Sequence, residues 1–450
     1  MNLARKECSA AALLMLTVAV CGSAAGDDQL PVVHAGSTRV DIQDGNRLLR
    51  GIWTVAPEVE LDIYYARRSK DERKVTFRTD VDSISFRVLP GQTHDFVVLL
   101  EGKHRCRSRI STMREACRMD GDPNAPAEDV IPFTIGADHK IHIVGRINDS
   151  EPLDLLLDMG ADTFVLYPSA QAMNPNIRID GKAGNVGTGG TAIRDFSNDN
   201  RVALGRLRWD HESVLLMERQ SDRADGIVGH NLFDDKVVEL DYDAKLVRIG
   251  DAVPKYAAMW TALPIQFKGT LPAVQARFES GREVFEEWLV LDTGSSATVY
   301  VNRGTAVQQR LRGSMKTLGT SRMRGVGGGT TRNDVLLLPT LGLGSLELRD
   351  LQLHVRTKGP EAADGLSGHL GMDVLKRFNT VLDFRNDVAY FAPSALNGTA
   401  YRFDYDDGSG WWFAAAGASP FLLVALLWLR RRTIARSRAE ARPGCTGGAA

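Results

Sequence analysis

Leu153-Asp154-Leu155-Leu156-Leu157-Asp158-Met159-Gly160-Ala161 is answered later in the chain by Glu287-Trp288-Leu289-Val290-Leu291-Asp292-Thr293-Gly294-Ser295. Each is a hydrophobic run that ends in an aspartate with a glycine two residues on, the pattern of a buried strand running into a tight turn. Downstream, Gly226-Ile227-Val228-Gly229-His230-Asn231-Leu232-Phe233 is echoed by Gly368-His369-Leu370-Gly371-Met372-Asp373-Val374-Leu375. Val237-Val238-Glu239-Leu240-Asp241-Tyr242 is then echoed by Asn379-Thr380-Val381-Leu382-Asp383-Phe384. Order, spacing and chemistry all repeat, with about eight residues of net insertion in the second copy. Between the anchors each copy has a glycine-rich stretch that reads as a mobile hairpin tip between alternating segments. The first supplies Gly187, Gly189 and Gly190, the second Gly327, Gly328 and Gly329.

A lone Asp-Thr-Gly is expected by chance in roughly one chain in ten of this length. Two aligned copies with matched downstream anchors are more specific, and here the chain resembles the aspartic proteases. The likeness rests on the Asp-x-Gly loop, the glycine-rich flap and a hydrophobic-hydrophobic-Gly element, here Ile227-Val228-Gly229 and His369-Leu370-Gly371, and spans roughly residues 130 to 395. Each half looks like one retropepsin-type lobe. A flap in both halves looks more like a retropepsin dimer fused into one chain than like pepsin, which uses one flap. The resemblance implies an all-β, bilobal fold with lobes at residues 123–255 and 256–398, paired within one monomeric unit. It also implies a peptide or protein substrate and no cofactor.

The chemistry explains the duplication. Two carboxylates held close together cannot both ionise cheaply, so they share one proton over a wide pH range. The ionised member takes a proton from a bound water while the protonated member donates to the scissile carbonyl oxygen. Asp158 and Asp292 are the expected catalytic pair, with Gly160, Thr293, Gly294 and Ser295 supporting their loops. Their titration belongs to the pair, so neither is assigned acid or base alone.

The first loop departs from the family pattern. The residue after each aspartate is usually Thr, sometimes Ser, whose hydroxyl braces the opposite loop; the second copy has Thr293 but the first has Met159, a weak acceptor at best. The alternative reading is therefore a catalytically weakened homologue that binds peptides or proteins. After the glycines stand Ala161 and Ser295. A Ser there, in the family, donates to the carboxylate and favours acid conditions, so one of each implies a mildly acidic optimum.

Residues 26–122 read as a separate β-rich module. Short alternating stretches at Thr38 to Ile42, Val75 to Arg78, Ser83 to Leu89 and Asp95 to Leu100 are broken by Asp44-Gly45 and Pro90-Gly91, without helical periodicity. Thr79 to Phe86 resembles the N-terminal β-rich extensions of some exported bacterial aspartic proteases, and the expected form is a small β-sandwich-like domain. Asp120 to Pro126 supplies a linker. Asp80 and Asp82 fit a surface strand end better than a calcium loop. His139 and His142, with two residues between them, could share a strand face, but no third metal ligand is spaced nearby.

The chain's ends read as targeting. Arg5 and Lys6, an apolar run from Ala10 to Val20 and Gly22-Ser23-Ala24-Ala25 form an export signal over residues 1–25. Trp411 to Leu429 carries no charge and would make about 28 Å of helix, close to the hydrocarbon thickness of a bilayer. Arg430, Arg431 and Arg432 follow, so the positive-inside rule puts the tail at 430–450 in the cytoplasm and everything before Trp411 outside. The expected location is the cell envelope, periplasmic or extracellular, with one C-terminal membrane anchor.

The whole chain carries a formal charge of −1. Six arginines in the tail mask an ectodomain near −7, which argues against a nucleic-acid partner. Of five cysteines, Cys8 and Cys21 fall in the signal and Cys445 in the tail. Cys106 and Cys117 remain in the oxidising compartment and are expected to form one short disulfide, contributing about 3 kcal/mol. No Gly-x-Ser-x-Gly, His-Glu-x-x-His or Gly-x-x-x-x-Gly-Lys-Ser/Thr motif occurs.

Overall fold

The computed structural model of the protein describes residues 29–406 apart from 45–46, 56, 58–60, 67–71, 90, 113–116, 121–127, 175, 180, 188, 219–222, 326–327, 361–365 and 403–404. The export signal, the apolar segment at 411–429, the basic tail and Gly327 lie outside the described residues. Among the described residues no helix is long and apolar enough to cross a membrane.

The N-terminal region forms two four-stranded sheets. One runs Val32–Ala35, Thr93–Leu100, His104–Ser111, Asp62–Tyr65; the other runs Arg47–Thr54, Arg39–Asp44, Arg73–Arg78, Ser83–Val88. Alternation along Arg39–Asp44 turns Val40 and Ile42 inward, where they join Val75, Phe77, Val33, Phe96 and Val98 in one sandwich core. Phe77 and Phe96 meet edge to face, 5.0 Å apart. Asp80 accepts the Gly36 N–H at 2.8 Å and Asp82 the Ser83 N–H at 2.7 Å, which is the work of a strand end.

The expected disulfide is not formed: Cys106 and Cys117 are both thiols. The alternation of His104–Ser111 points Cys106 into the sandwich core, whereas Cys117 packs against the core of the repeats, near Lys236. Arg118–Met119, which a boundary at residue 122 leaves with the N-terminal module, pairs with Leu207–Leu216 of the first repeat. The two thiols are thus drawn into separate cores, and packing decides their positions.

The remainder is mostly β, with two barrel-like sheets of the same wiring. In the first, Leu153–Asp158 runs parallel to Gly226–Gly229, which lies antiparallel to Phe164–Leu166, itself parallel to Leu207–Leu216. In the second, Glu283–Leu291 runs parallel to Gly368–Leu370, which lies antiparallel to Val299–Val301, itself parallel to Leu346–Lys358. Pairing of Gly145–Ile147 with Val202–Leu204 curls the first sheet; Arg277–Glu279 with Thr340–Gly342 curls the second. Continuous apolar runs suit these central strands because both faces are covered.

The third repeated element joins the halves. Val237–Asp241 pairs antiparallel with Phe378–Asp383, Val238 opposite Leu382 and Leu240 opposite Thr380. Leu246–Gly250 and Asp129–Ile135 extend this sheet on one side, Val388–Pro393 and Thr261–Pro264 on the other. The copies therefore face each other across an approximate twofold axis, and the two lobes share one hydrophobic core.

Both glycine-rich stretches end long hairpins, Gly181–Gly187 with Gly190–Leu204 and Thr317–Arg324 with Thr330–Leu343. Arg47–Thr54, an edge strand of the N-terminal sandwich, lies beside the outer strand Gly181–Gly187 of the first hairpin. The chain past residue 398 stays attached to the second lobe: Arg377 sits 3.8 Å over the Tyr401 ring, and the Arg402 N–H donates to Asp373 at 2.9 Å. Asp406 exchanges two backbone hydrogen bonds with Thr320 on the outer strand of the second hairpin, at 2.8 and 2.7 Å.

Candidate active site

Asp158 ends Leu153–Asp158, and Asp292 directly follows Glu283–Leu291. The twofold arrangement sets the two turns against each other. A Cβ on Gly294 would lie 2.2 Å from Asp158 Oδ2, and one on Gly160 would lie 2.8 Å from Asp292 Cγ. Only glycine lets each loop lie on the other's carboxylate. Asp158 Oδ1 accepts the N–H of Gly160 at 2.8 Å and, from the other lobe, that of Gly294 at 3.1 Å.

Thr293 makes its half of the cross-brace. Its hydroxyl donates to the Leu157 carbonyl at 2.7 Å and accepts the Met159 N–H at 2.9 Å, at 1% exposure. Opposite it, the Met159 side chain is wholly buried and borders a small cavity lined by Leu240, Tyr242, Leu291, Leu375, Thr380 and Leu382. The thioether therefore serves the interlobe core, while Thr293 supplies the hydroxyl link between the loops, beside the Gly294 N–H that Asp158 accepts.

Burial pushes both carboxyls well above the usual carboxylate range, and for Asp158 the charge of Asp292 pushes further. The loop N–H groups and the positive charge of Lys140 pull the other way. Each carboxyl lies against the glycine of the other's loop, so their titration belongs to the pair. Lys140 lies on the turn that follows Asp129–Ile135, where His139 adopts φ 64°. His142 is on the next strand, between Asp138 at 3.0 Å and Asp154 at 2.8 Å, so the two histidines do not form a pair on one face. Three positions apart in an alternating run is opposite faces. Among the described residues no group of three His, Cys, Asp or Glu is placed to hold a metal ion.

Sequence reasoning counted His369 in the hydrophobic-hydrophobic-Gly element and gave it no role at the site, although the pattern wants an apolar residue there. That mismatch with Ile227 was the available signal. His369 Nδ1 lies 3.7 Å from Asp292 Oδ2, its Nε2 is 3.1 Å from the Ser295 hydroxyl, and its ring stacks on Tyr300 at 4.8 Å. Burial, with His354 and Arg356 nearby, pushes the imidazole down to about 3, so it is neutral. Ser295, expected from the resemblance to serve the carboxylate, has its hydroxyl on this ring.

The hairpin tips meet each other. The Gly329 N–H donates to the Gly189 carbonyl at 3.1 Å, and a Cβ on Gly189 would stand 2.6 Å from the Gly325 carbonyl oxygen. Gly187 pairs with Gly190 at the first tip, and the Gly328 N–H donates to Gly325 at 3.1 Å in the second.

No protein-family description matches this sequence. No curated protein matches it either. Among solved structures the chain is similar to the aspartic proteinase from Irpex lacteus, with 14% sequence identity over 61% of this chain and 100% of that one, and a TM-score of 0.41.

Proposed function

We propose that the protein is an aspartic endopeptidase that acts outside the cytoplasm and is anchored to the membrane by its C-terminal apolar segment. The carrying observation is the mutual seating of the two Asp-x-Gly loops, in which Gly294 of one lobe donates to Asp158 of the other. Asp158 and Asp292 share one proton and hold a water between them. The ionised carboxylate takes a proton from that water as its oxygen attacks the peptide carbonyl, and the protonated partner donates to the carbonyl oxygen. The tetrahedral intermediate then collapses with a proton passing to the leaving amine. The hairpin tips close over an extended peptide and hydrogen-bond its backbone.

Export and anchoring follow from the signal-like start and the apolar, arginine-flanked segment at 411–429. A second reading, a peptide-binding homologue without turnover, draws on Met159 in place of the second bracing hydroxyl. The Thr293 link favours the enzyme, because it leaves the loops braced from one side.

The test is cleavage of a mixed peptide library from pH 3 to 8 beside the Asp292→Asn variant. Cleavage lost in the variant and blocked by a statine-type inhibitor supports the proposal. Retained folding with peptide binding but no cleavage moves the protein to the second reading. An activity maximum above pH 8 contradicts the shared-proton mechanism.

A further inference from the structure

The strand register identifies which residues of the two lobes correspond. Val165 pairs with Ile227 and with Leu215 in the first lobe, as Tyr300 pairs with His369 and with His354 in the second. Two residues on from Leu215 and His354 stand Met217 and Arg356. In the first lobe these positions form a purely apolar cluster of Leu156, Val165, Leu215, Met217 and Ile227. In the second they are Val290, Tyr300, His354, Arg356 and His369, with His354 and Arg356 wholly buried. Burying a cation beside two histidines is costly unless every contact is used.

The contacts form a chain. His369 stands between Asp292 and the Ser295 hydroxyl on one side and Tyr300 on the other. Arg356 donates through Nε to the Tyr300 hydroxyl, with its guanidinium carbon 5.3 Å from the centre of that ring. Through Nη1 the same guanidinium donates to the Pro360 carbonyl. Pro360 meets both hairpin tips: a Cβ on Gly190 would lie 3.2 Å from its Cβ, and one on Gly329 3.0 Å from its Cγ. We infer that His369, Tyr300 and Arg356 are positioning residues, a buried polar strut confined to the second lobe that fixes the Asp292 carboxylate at one end and seats the closed flap tips at the other.

The strut deepens the peptidase reading and rests on it. A neutral imidazole beside a carboxylate takes the Nδ1–H tautomer, so the Ser295 hydroxyl donates to Nε2 and the ring's N–H faces Asp292. The charged and titratable groups around this point are Asp158, Asp292 and Lys140 in the cleft, with Tyr300, His354 and Arg356 behind the ring. Glu287, the next carboxylate on the neighbouring strand, is held by the Ser367 hydroxyl at 2.8 Å. Removing the ring's N–H destabilises the ionised form of Asp292, and removing the guanidinium releases the loop under the tips.

The experiment gives each position the residue of the first lobe, in the full-length protein. His369→Ile is expected to move the kcat/KM pH profile upward by about half a unit or more, with KM little changed, and His369→Gln to restore it. Arg356→Met is expected to raise KM about tenfold and also to displace the pH profile, whereas a merely structural arginine would lower the melting temperature and leave the profile in place. Should Arg356→Met fail to fold, Tyr300→Phe breaks the same chain by one hydroxyl and is read identically. Unmoved profiles in folded His369→Ile and Tyr300→Phe overturn the strut. If the wild type cleaves nothing, the peptidase reading falls by itself. The strut is then decided by carboxyl carbon-13 titration, in which the Asp292 pKa must differ between wild type and His369→Ile.

Discussion

Thr293 shows how much one hydroxyl carries in this site, since it links two lobes through a donated and an accepted hydrogen bond while 1% exposed. Thr293→Val keeps the shape and strands both backbone groups, so it is expected to cost about 2–3 kcal/mol and to lower kcat more than it raises KM; chemical denaturation and steady-state kinetics read the two effects. The dyad has a separate signature. Both carboxyls are raised in the folded state, so the fold binds more protons than the unfolded chain between the ordinary carboxylate pKa and the raised values, and stability falls as pH rises through that window. Asp292→Asn removes one of the two charges. Its melting temperature is expected to exceed the wild type's by a margin that grows from pH 4 to pH 8, and a margin independent of pH would contradict the burial of the pair. That the two Asp-x-Gly loops correspond was legible in the sequence from the repeat, and their glycines stand where each loop packs on the other's aspartate. The role of His369 was not legible, because it comes from a stacking partner and a hydroxyl that only the strand register brings near.

At the scale of elements, the hairpins behave as a pair because their tips are made of backbone. A Cβ on Gly329 would stand 2.3 Å from the Gly189 carbonyl oxygen, closer than any side chain permits. Gly329→Ala is therefore expected to hold the tips apart, raising KM for peptides about tenfold at unchanged circular dichroism, and intact KM would show that the tips do not clamp substrate. The repeated strands were legible from their apolar runs and the hairpins from their glycines. The pairing of the third repeat with its own copy was not legible. Antiparallel partners far apart in the chain leave no local signal, and Val237–Asp241 against Phe378–Asp383 is set by the twofold arrangement of the lobes.

For the whole molecule, the N-terminal sandwich has its own hydrophobic core, separate from the one that the two lobes share. The cysteine reading failed at this scale. Counting thiols by compartment assumes that the two are free to meet, whereas Cys106 is committed to the sandwich and Cys117 to the lobes. A reducing agent is accordingly expected to leave the melting temperature unchanged, and mass spectrometry after alkylation of the unreduced, unfolded protein should find both thiols labelled. The fold also leaves both hairpins handled from outside. The first has the sandwich strand Arg47–Thr54 beside it, and the second is bonded at Thr320 to Asp406. Mechanically, the chain's exit is a handle on the second hairpin: whatever follows residue 406 transmits its load to that outer strand before it reaches the rest of the lobe. Tension applied at the C-terminal side thus acts first on the second hairpin, and tethering the protein to a surface by that end loads the strand whose tip meets the first hairpin.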